Sequence, residues 1–307
     1  MFAVGGDYSV GRIIHSSGSG WTEMTAPASK ILYEITGFAP NDVFAVGRGP
    51  QGILDGILLH YDGSSWAKVP NTPSVIGIYG GHYQAIWGTG SSNLYILGYN
   101  GDETDANNRQ NVVFHWNGAS WIDMKLPIVL PRTWPADIWG YGNELWVVGW
   151  TLEANNDSQG LLYHYDGNAW TMDKPADVGL PSGGLISVHG TDACHVVAVG
   201  SKKDSGVFKT VVMRYDGTIW SSQLVGTDEA GAAVWTGGPH ATLVLSADDA
   251  NYVGKIRLAD GKDGYPVLPS TFNTSAPRNA FRISNSKTHY LVGDGSGGVK
   301  ISHADCQ

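Results

Sequence analysis

Cysteine is nearly absent from this chain: Cys194 and Cys306 are the only two in 307 residues. Their spacing suits neither a metal-binding pair nor a disulfide framework, so free thiols are the expectation. Runs of Lys or Arg are missing, and 28 acidic residues against 19 basic ones give a formal net charge of -9. That excludes the electrostatic footprint of a nucleic-acid binder. No stretch of 18 apolar residues occurs, which excludes a membrane-spanning helix. The segment from Met1 has neither the basic start nor the apolar core of a signal peptide. Charged residues make up only 15% of the chain and no helical period of useful length emerges, which argues against a helical protein. Nucleophile elbows, phosphate-binding loops and dinucleotide fingerprints are also lacking.

What the chain does hold is Gly (42), Tyr (14) and Trp (12), in a sequence that is 42% hydrophobic and therefore able to bury a core. The Trp are periodic. Trp21, Trp66, Trp121, Trp170 and Trp220 each stand three residues after a turn Gly, about 45 to 55 residues apart, a spacing that marks a repeat architecture. Each repeat reads as four strands. Strand A precedes a short turn, as in Glu34-Ile35-Thr36-Gly37 and Asp137-Ile138-Trp139-Gly140. Strand B is an apolar run ending in Gly, as in Val43 to Gly47 and Leu145 to Gly149. Strand C runs into an Asp-Gly or Asn-Gly turn, as in Ile57 to Gly63 and Val112 to Gly118. Strand D opens at the Trp. Asp-Gly between apolar runs is a strong hairpin signal because the turn needs positive φ.

Four-stranded antiparallel units repeated along the chain predict an all-β, seven-bladed β-propeller with incomplete first and last blades, forming a single domain over residues 1–307. Eight blades with one absent is the alternative count. An apolar strand ending in Gly, a Tyr-bearing strand and a later Trp resemble the kelch and galactose-oxidase-like propeller repeats, most clearly over Leu94 to Pro127. The resemblance is architectural: kelch repeats carry a Gly pair where this chain has one Gly, and the copper site of galactose oxidase has no counterpart. Such folds host enzymes, lectins and scaffolds alike.

Repetition also sorts the chemistry. His15, His60, His115, His164 and His303 share one strand C position, with Arg214 and Leu258 in the two remaining blades. Equivalent positions in successive blades cannot converge on one ion, so these His, and the repeat Trp, are expected to be scaffold. Function is expected where blades differ, in the B-to-C loops (48–55, 99–110, 150–159 and 201–209) and the D-to-A segments carrying Tyr79, His82, Arg132, Trp134 and Arg278. Both sets should emerge on one face. Tyr99 and Trp150 follow the Gly of strand B and are expected as exposed aromatic platforms beside Asn and Asp, the chemistry of sugar recognition. Asp102, Asp105 and Asn107 offer oxygen ligands suited to Ca²⁺, with solvated loops as the competing reading. Along strand A, Glu34, Asp137 and His189 alternate with buried residues and face the channel, where paired carboxylates with a His suit general acid-base work if their pKa values diverge.

These readings predict a non-enzymatic propeller that binds a glycan or protein ligand through its loop-rich face, in a secreted or cell-envelope protein without a nucleic-acid partner. The alternative is a glycan-active hydrolase or lyase using the acidic and His side chains at the channel mouth.

Overall fold

The computed structural model describes residues 1–6, 10–17, 20–50, 56–75, 81–100, 110–127, 133–152, 158–173, 183–226, 228–238, 241–248, 254–259, 264–265, 277–282, 288–295 and 298–305. Among them the chain is all-β, and its strands form seven antiparallel sheets whose strands follow one another in sequence order. The first sheet holds β1 (Phe2–Gly6), β2 (Gly11–Ser16) and β3 (Trp21–Met24). The second holds β4 (Ile31–Ala39), β5 (Asp42–Arg48), β6 (Gly56–Tyr61) and β7 (Trp66–Lys68), and the third β8 (His82–Gly90), β9 (Asn93–Asn100), β10 (Gln110–Trp116) and β11 (Trp121–Asp123). The fourth holds β12 (Thr133–Tyr141), β13 (Glu144–Leu152), β14 (Ser158–Tyr165) and β15 (Trp170–Asp173), and the fifth β16 (Gly184–Asp192), β17 (His195–Asp204), β18 (Val207–Tyr215) and β19 (Trp220–Val225). β20 (Glu229–Thr236), β21 (Thr242–Asp248) and β22 (Gly254–Leu258) make the sixth, and β23 (Pro277–Arg282), β24 (Thr288–Gly295) and β25 (Gly298–Asp305) the seventh.

The expected A-B-C-D order is present in the second to fifth sheets; the first sheet begins at strand B, and the sixth and seventh hold strands A, B and C among the described residues. The chain falls into two compact units, Met1–Ile138 and Trp139–Gln307, which divide within β12.

In the first unit the apolar side chains of the second sheet are buried on both of its faces. Val43, Ala45, Ile57, Leu59 and Trp66 join Ile13 of β2 in one core cluster. Phe44, Val46 and Leu58 join Tyr83, Ile86, Leu94 and Ile96 of the third sheet in another. Successive residues of a strand point to opposite faces, so a sheet covered on both sides needs a continuous apolar run rather than an alternating one. This is why strand B reads Val-Phe-Ala-Val. The second unit repeats the logic: Val197, Val199 and Val212 meet Val234 and Val244 in one cluster, while Ala233, Leu243, Leu245 and Ile256 form the other face of the sixth sheet.

Glycine closes strand B because strand A passes too near for a side chain. A Cβ at Gly47 would lie 2.1 Å from the Ile31 carbonyl oxygen, and one at Gly200 1.9 Å from that of Gly184. Turn glycines serve a different need. Gly63, Gly118, Gly167 and Gly217 have φ of 98°, 88°, 91° and 94°, the left-handed region that side chains disfavour. The residue before each of them locks the turn: Asp62 Oδ1 accepts from the Ser64 and Ser65 amides, and Asn117, Asp166 and Asp216 accept equivalent pairs.

One expected variable loop proves to be regular structure. Residues 201–209 extend the β17–β18 ladder as far as Asp204 opposite Val207. Ser205 and Gly206 turn the chain with φ of 53° and 89°, the two positive values of a type I′ hairpin.

Candidate functional site

Strand A has a recurrent irregularity. The ladder skips one residue between Leu32 and Glu34, between Tyr83 and Ala85, between Leu185 and Ser187, and between Gly231 and Ala233. A bulge of this kind re-aims side chains and leaves backbone groups unpaired within the ladder. In the first unit, Glu34 Oε2 accepts the Ile86 amide of the next sheet at 2.7 Å. In the second, Ser187 Oγ accepts the Val234 amide at 3.3 Å and His189 Nδ1 the Thr236 amide at 3.4 Å. Asp137 Oδ1 accepts from its neighbour, the Ile138 amide, at 2.8 Å. Each of the strand A candidates thus accepts a backbone N–H.

Their electrostatics follow from enclosure. Burial and the nearby Asp137 charge push the Glu34 carboxyl well above its ordinary value, against the lowering effect of the Ile86 amide. Burial lowers the His189 imidazole to about 4, so it is neutral at pH 7. Its ring lies 6.0 Å from Trp139 and 6.0 Å from Trp235. All three occupy the same strand A position in consecutive repeats. His189 therefore belongs to a layer of rings in the second unit, while Glu34 and Asp137 belong to the first.

At the far end of the same sheets in the first unit, a polar aromatic group gathers. His82 pairs directly across the ladder with Tyr99, and their rings meet edge-on at 4.4 Å. Tyr33, the residue skipped in β4, lies 4.7 Å from His82, and Gln84, the residue skipped in β8, hydrogen-bonds His82 Nε2 through Oε1 at 2.9 Å. Tyr99 and His82 were expected in loops. Both stand on strands and are buried, at 5% and 6% exposure, so the exposed platform expected of Tyr99 is corrected: the ring is covered by its cross-strand partner. Tyr33 and Gln84 are partly exposed and were not anticipated, because a bulge leaves no mark in an alternating pattern.

Trp134 stands on β12 and Trp150 on β13, both partly exposed, where loops were expected. Gly184 makes room for Trp150, since a Cβ there would lie 3.1 Å from the Trp150 Cβ. Arg132, Tyr79, Asp102, Asp105 and Asn107 lie outside the described residues. Among the described residues, no group of three or more His, Cys, Asp or Glu is arranged to hold a metal ion.

The repeated residues have the structural roles that repetition implied. His60, His115 and His164 bond the residue that opens strand B, namely Asp42 at 2.9 Å, Asn93 at 2.7 Å and Glu144 at 2.8 Å. Each also stacks on a strand B aromatic, Phe44 at 4.3 Å, Tyr95 at 4.2 Å and Trp146 at 4.6 Å. The repeat Trp likewise packs on the strand C aromatic opposite it: Tyr61–Trp66, Trp116–Trp121, Tyr165–Trp170 and Tyr215–Trp220 lie 5.1 to 5.5 Å apart.

A charged network in the sixth sheet escaped sequence reasoning altogether. Glu229 is 2% exposed and accepts from Ser246, Lys255 and Arg257, while Arg257 also donates to the Tyr265 carbonyl at 2.9 Å. Burial pushes the Glu229 pKa up, but these hydrogen bonds and the Arg257 charge outweigh it and hold the carboxyl below its ordinary value. The only signal was compositional. Lys255 and Arg257 stand on β22 at positions where β6 has Ile57 and Leu59.

No protein-family model matches the sequence, and no curated protein matches it. Solved structures do. YCF48 bound to D1 peptide superposes with a TM-score of 0.58 at 14% identity, covering 94% of this chain and 82% of that one. The Aleuria aurantia lectin, a six-bladed β-propeller with a fucose recognition mode, gives 0.53 at 12%, covering 87% and 89%. The Hadza microbial sialidase Hz136 gives 0.57 at 9%, covering 89% of this chain and 65% of the sialidase. At these identities the likeness concerns the fold alone, and the fold it shows is the β-propeller.

Proposed function

We propose that this protein is a non-enzymatic β-propeller, one domain built on kelch-like repeats, that binds a glycan or protein ligand at the end of the sheets carrying the B-to-C and D-to-A segments. The observation that carries this reading is the occupation of the strand A polar side chains: Glu34, Asp137 and His189 each accept a backbone N–H. A catalytic acid or base must reach the substrate's proton, whereas Glu34 and His189 are engaged in joining neighbouring sheets and Asp137 accepts from its own strand. Partly exposed aromatics stand near the start of β4 (Tyr33) and near the end of β13 (Trp150), where a D-to-A and a B-to-C segment join those strands. Neighbours in fold space that bind a peptide or fucose support this choice. A secreted or cell-envelope location accords with it and is part of the proposal.

The glycan-active enzyme is the second reading, favoured by the raised pKa of Glu34 beside Asp137, since a raised pKa lets a carboxyl hold its proton to higher pH, as a general acid requires. Screening glycans and peptides against the wild type, Trp150→Ala and Glu34→Gln separates the two. The binding reading expects retention that is lost in Trp150→Ala and kept in Glu34→Gln; turnover that disappears in Glu34→Gln would establish the enzyme instead.

A further inference from the structure

Four repeats pair a strand C aromatic with the repeat Trp, but the third sheet does so differently. Its strand C aromatic is Trp116, where the second, fourth and fifth sheets have Tyr61, Tyr165 and Tyr215, and the two indoles tilt by 43° at 5.5 Å. Trp66 and Trp220 are buried at 6% exposure, whereas Trp121, like Trp21 and Trp170, is partly open to solvent, and in the third sheet its partner Trp116 is a second partly open indole. They border a cleft of about 280 Å³ between β6–β7 of the second sheet and β9–β11 of the third. The cleft lies within the first unit, at the strand ends opposite Tyr33, His82 and Tyr99. Its floor is the Phe44–Leu58–Leu94 core.

The polar groups around it are few. Lys68 lines the cleft, is exposed, and has no carboxylate within ion-pair distance among the described residues. His60 and Ser91 complete the wall, His60 held in place by its bond to Asp42. In a chain of net charge -9, Lys68 is a cation lining the same cleft as two partly open indoles, with the Asp42 carboxylate held behind His60.

We propose that this cleft is a binding site for an acidic monosaccharide unit, a pyranose bearing a carboxylate. An apolar ring face lies against Trp116 and Trp121, the ring hydroxyls reach His60 and Ser91, and the carboxylate pairs with Lys68 through a charge-assisted hydrogen bond. Size argues for one ring rather than a chain, since the volume is at the small end of ligand pockets. The site is separate from the loop-end site proposed above and does not rest on it.

Calorimetric titration of the full chain with methyl β-D-glucuronide and with uncharged methyl β-D-glucoside tests the assignment. The glucuronide is expected to bind more tightly. Lys68→Gln, on an exposed position that leaves the core intact, is expected to weaken the glucuronide about 5-fold while leaving the glucoside unchanged. Trp121→Ala is expected to weaken both by at least ~10-fold. The proposal is overturned by glucuronide binding that Lys68→Gln leaves intact, or by no binding of either sugar at millimolar concentration. Binding of an acidic aromatic dipeptide in place of both sugars overturns it as well. Loss of the signal in Trp150→Ala would move the sugar to the loop end, refuting the cleft and sparing the loop-end reading.

Discussion

At the scale of single residues, environment rather than residue type decides the role of each candidate. His164 stacks on Trp146 and bonds Glu144, so His164→Ala removes a ring contact and strands a carboxylate. A loss of about 1–3 kcal/mol in urea unfolding is expected. His189 and Glu34 respond to pH with opposite signs. The folded His189 has its pKa depressed from 6.5 to about 4, so its unfolded form binds more protons in between. Stability from this group is complete above pH 6.5 and falls as the solution is acidified toward 4, by on the order of 1–2 kcal/mol after allowance for its partial exposure. His189→Gln should flatten unfolding curves compared at pH 7 and pH 5. Glu34 has its folded pKa raised, so its contribution is complete below about pH 4.5 and is lost as pH rises through the folded value. Glu34→Gln keeps an acceptor for the Ile86 amide and removes the cost of burying a carboxyl that is ionised in the unfolded chain, and should raise stability at pH 7 by about 1 kcal/mol. A lower midpoint in denaturant would contradict that.

At the scale of elements, the recurring turn and the strand-ending Gly are where the sequence was most legible, because both are local. Positive φ in a tight turn demands Gly, and close passage of strand A excludes a side chain from strand B. Two turns give a graded test. Gly63→Ala strains φ of 98° and drives a Cβ to 2.7 Å from Asn41, whereas at Gly206, φ 89°, a Cβ meets open space. Gly206→Ala should cost about 1 kcal/mol and Gly63→Ala about 2 or more, measured by thermal unfolding. Equal costs would mean that Asn41 yields freely. What was not legible is equally specific. The bulges at Tyr33 and Gln84 depend on how strand A meets the next sheet, and no period in the chain encodes that contact. Burial of Tyr99 followed from its cross-strand partner His82, a pairing visible only once register is known. The 201–209 segment looked like a loop because its Lys-Lys-Asp-Ser-Gly composition is polar, yet a type I′ turn lets polar strands continue pairing.

At the scale of the whole molecule, repetition separates scaffold from site. Residues that recur, the strand C His and the Asp-Gly turns, hold each sheet together, and the repeat Trp does the same in the second and fifth sheets, where it is buried. The third sheet breaks the pattern with Trp116 and Trp121 at an open cleft, and the sixth breaks it with the Glu229–Arg257–Lys255 network. Trp121 shares its repeat position with Trp66, and only side-chain exposure distinguishes the two. The central claim is that this propeller retains ligands without transforming them. Incubating the wild-type chain with a mixture of oligosaccharides and peptides, capturing it, and weighing the eluted and unbound fractions by mass spectrometry tests it most directly. The account predicts ligands eluted with unchanged masses and an unbound fraction free of cleavage products. Cleaved or unsaturated oligosaccharides that appear with the wild type and vanish with Glu34→Gln would contradict it.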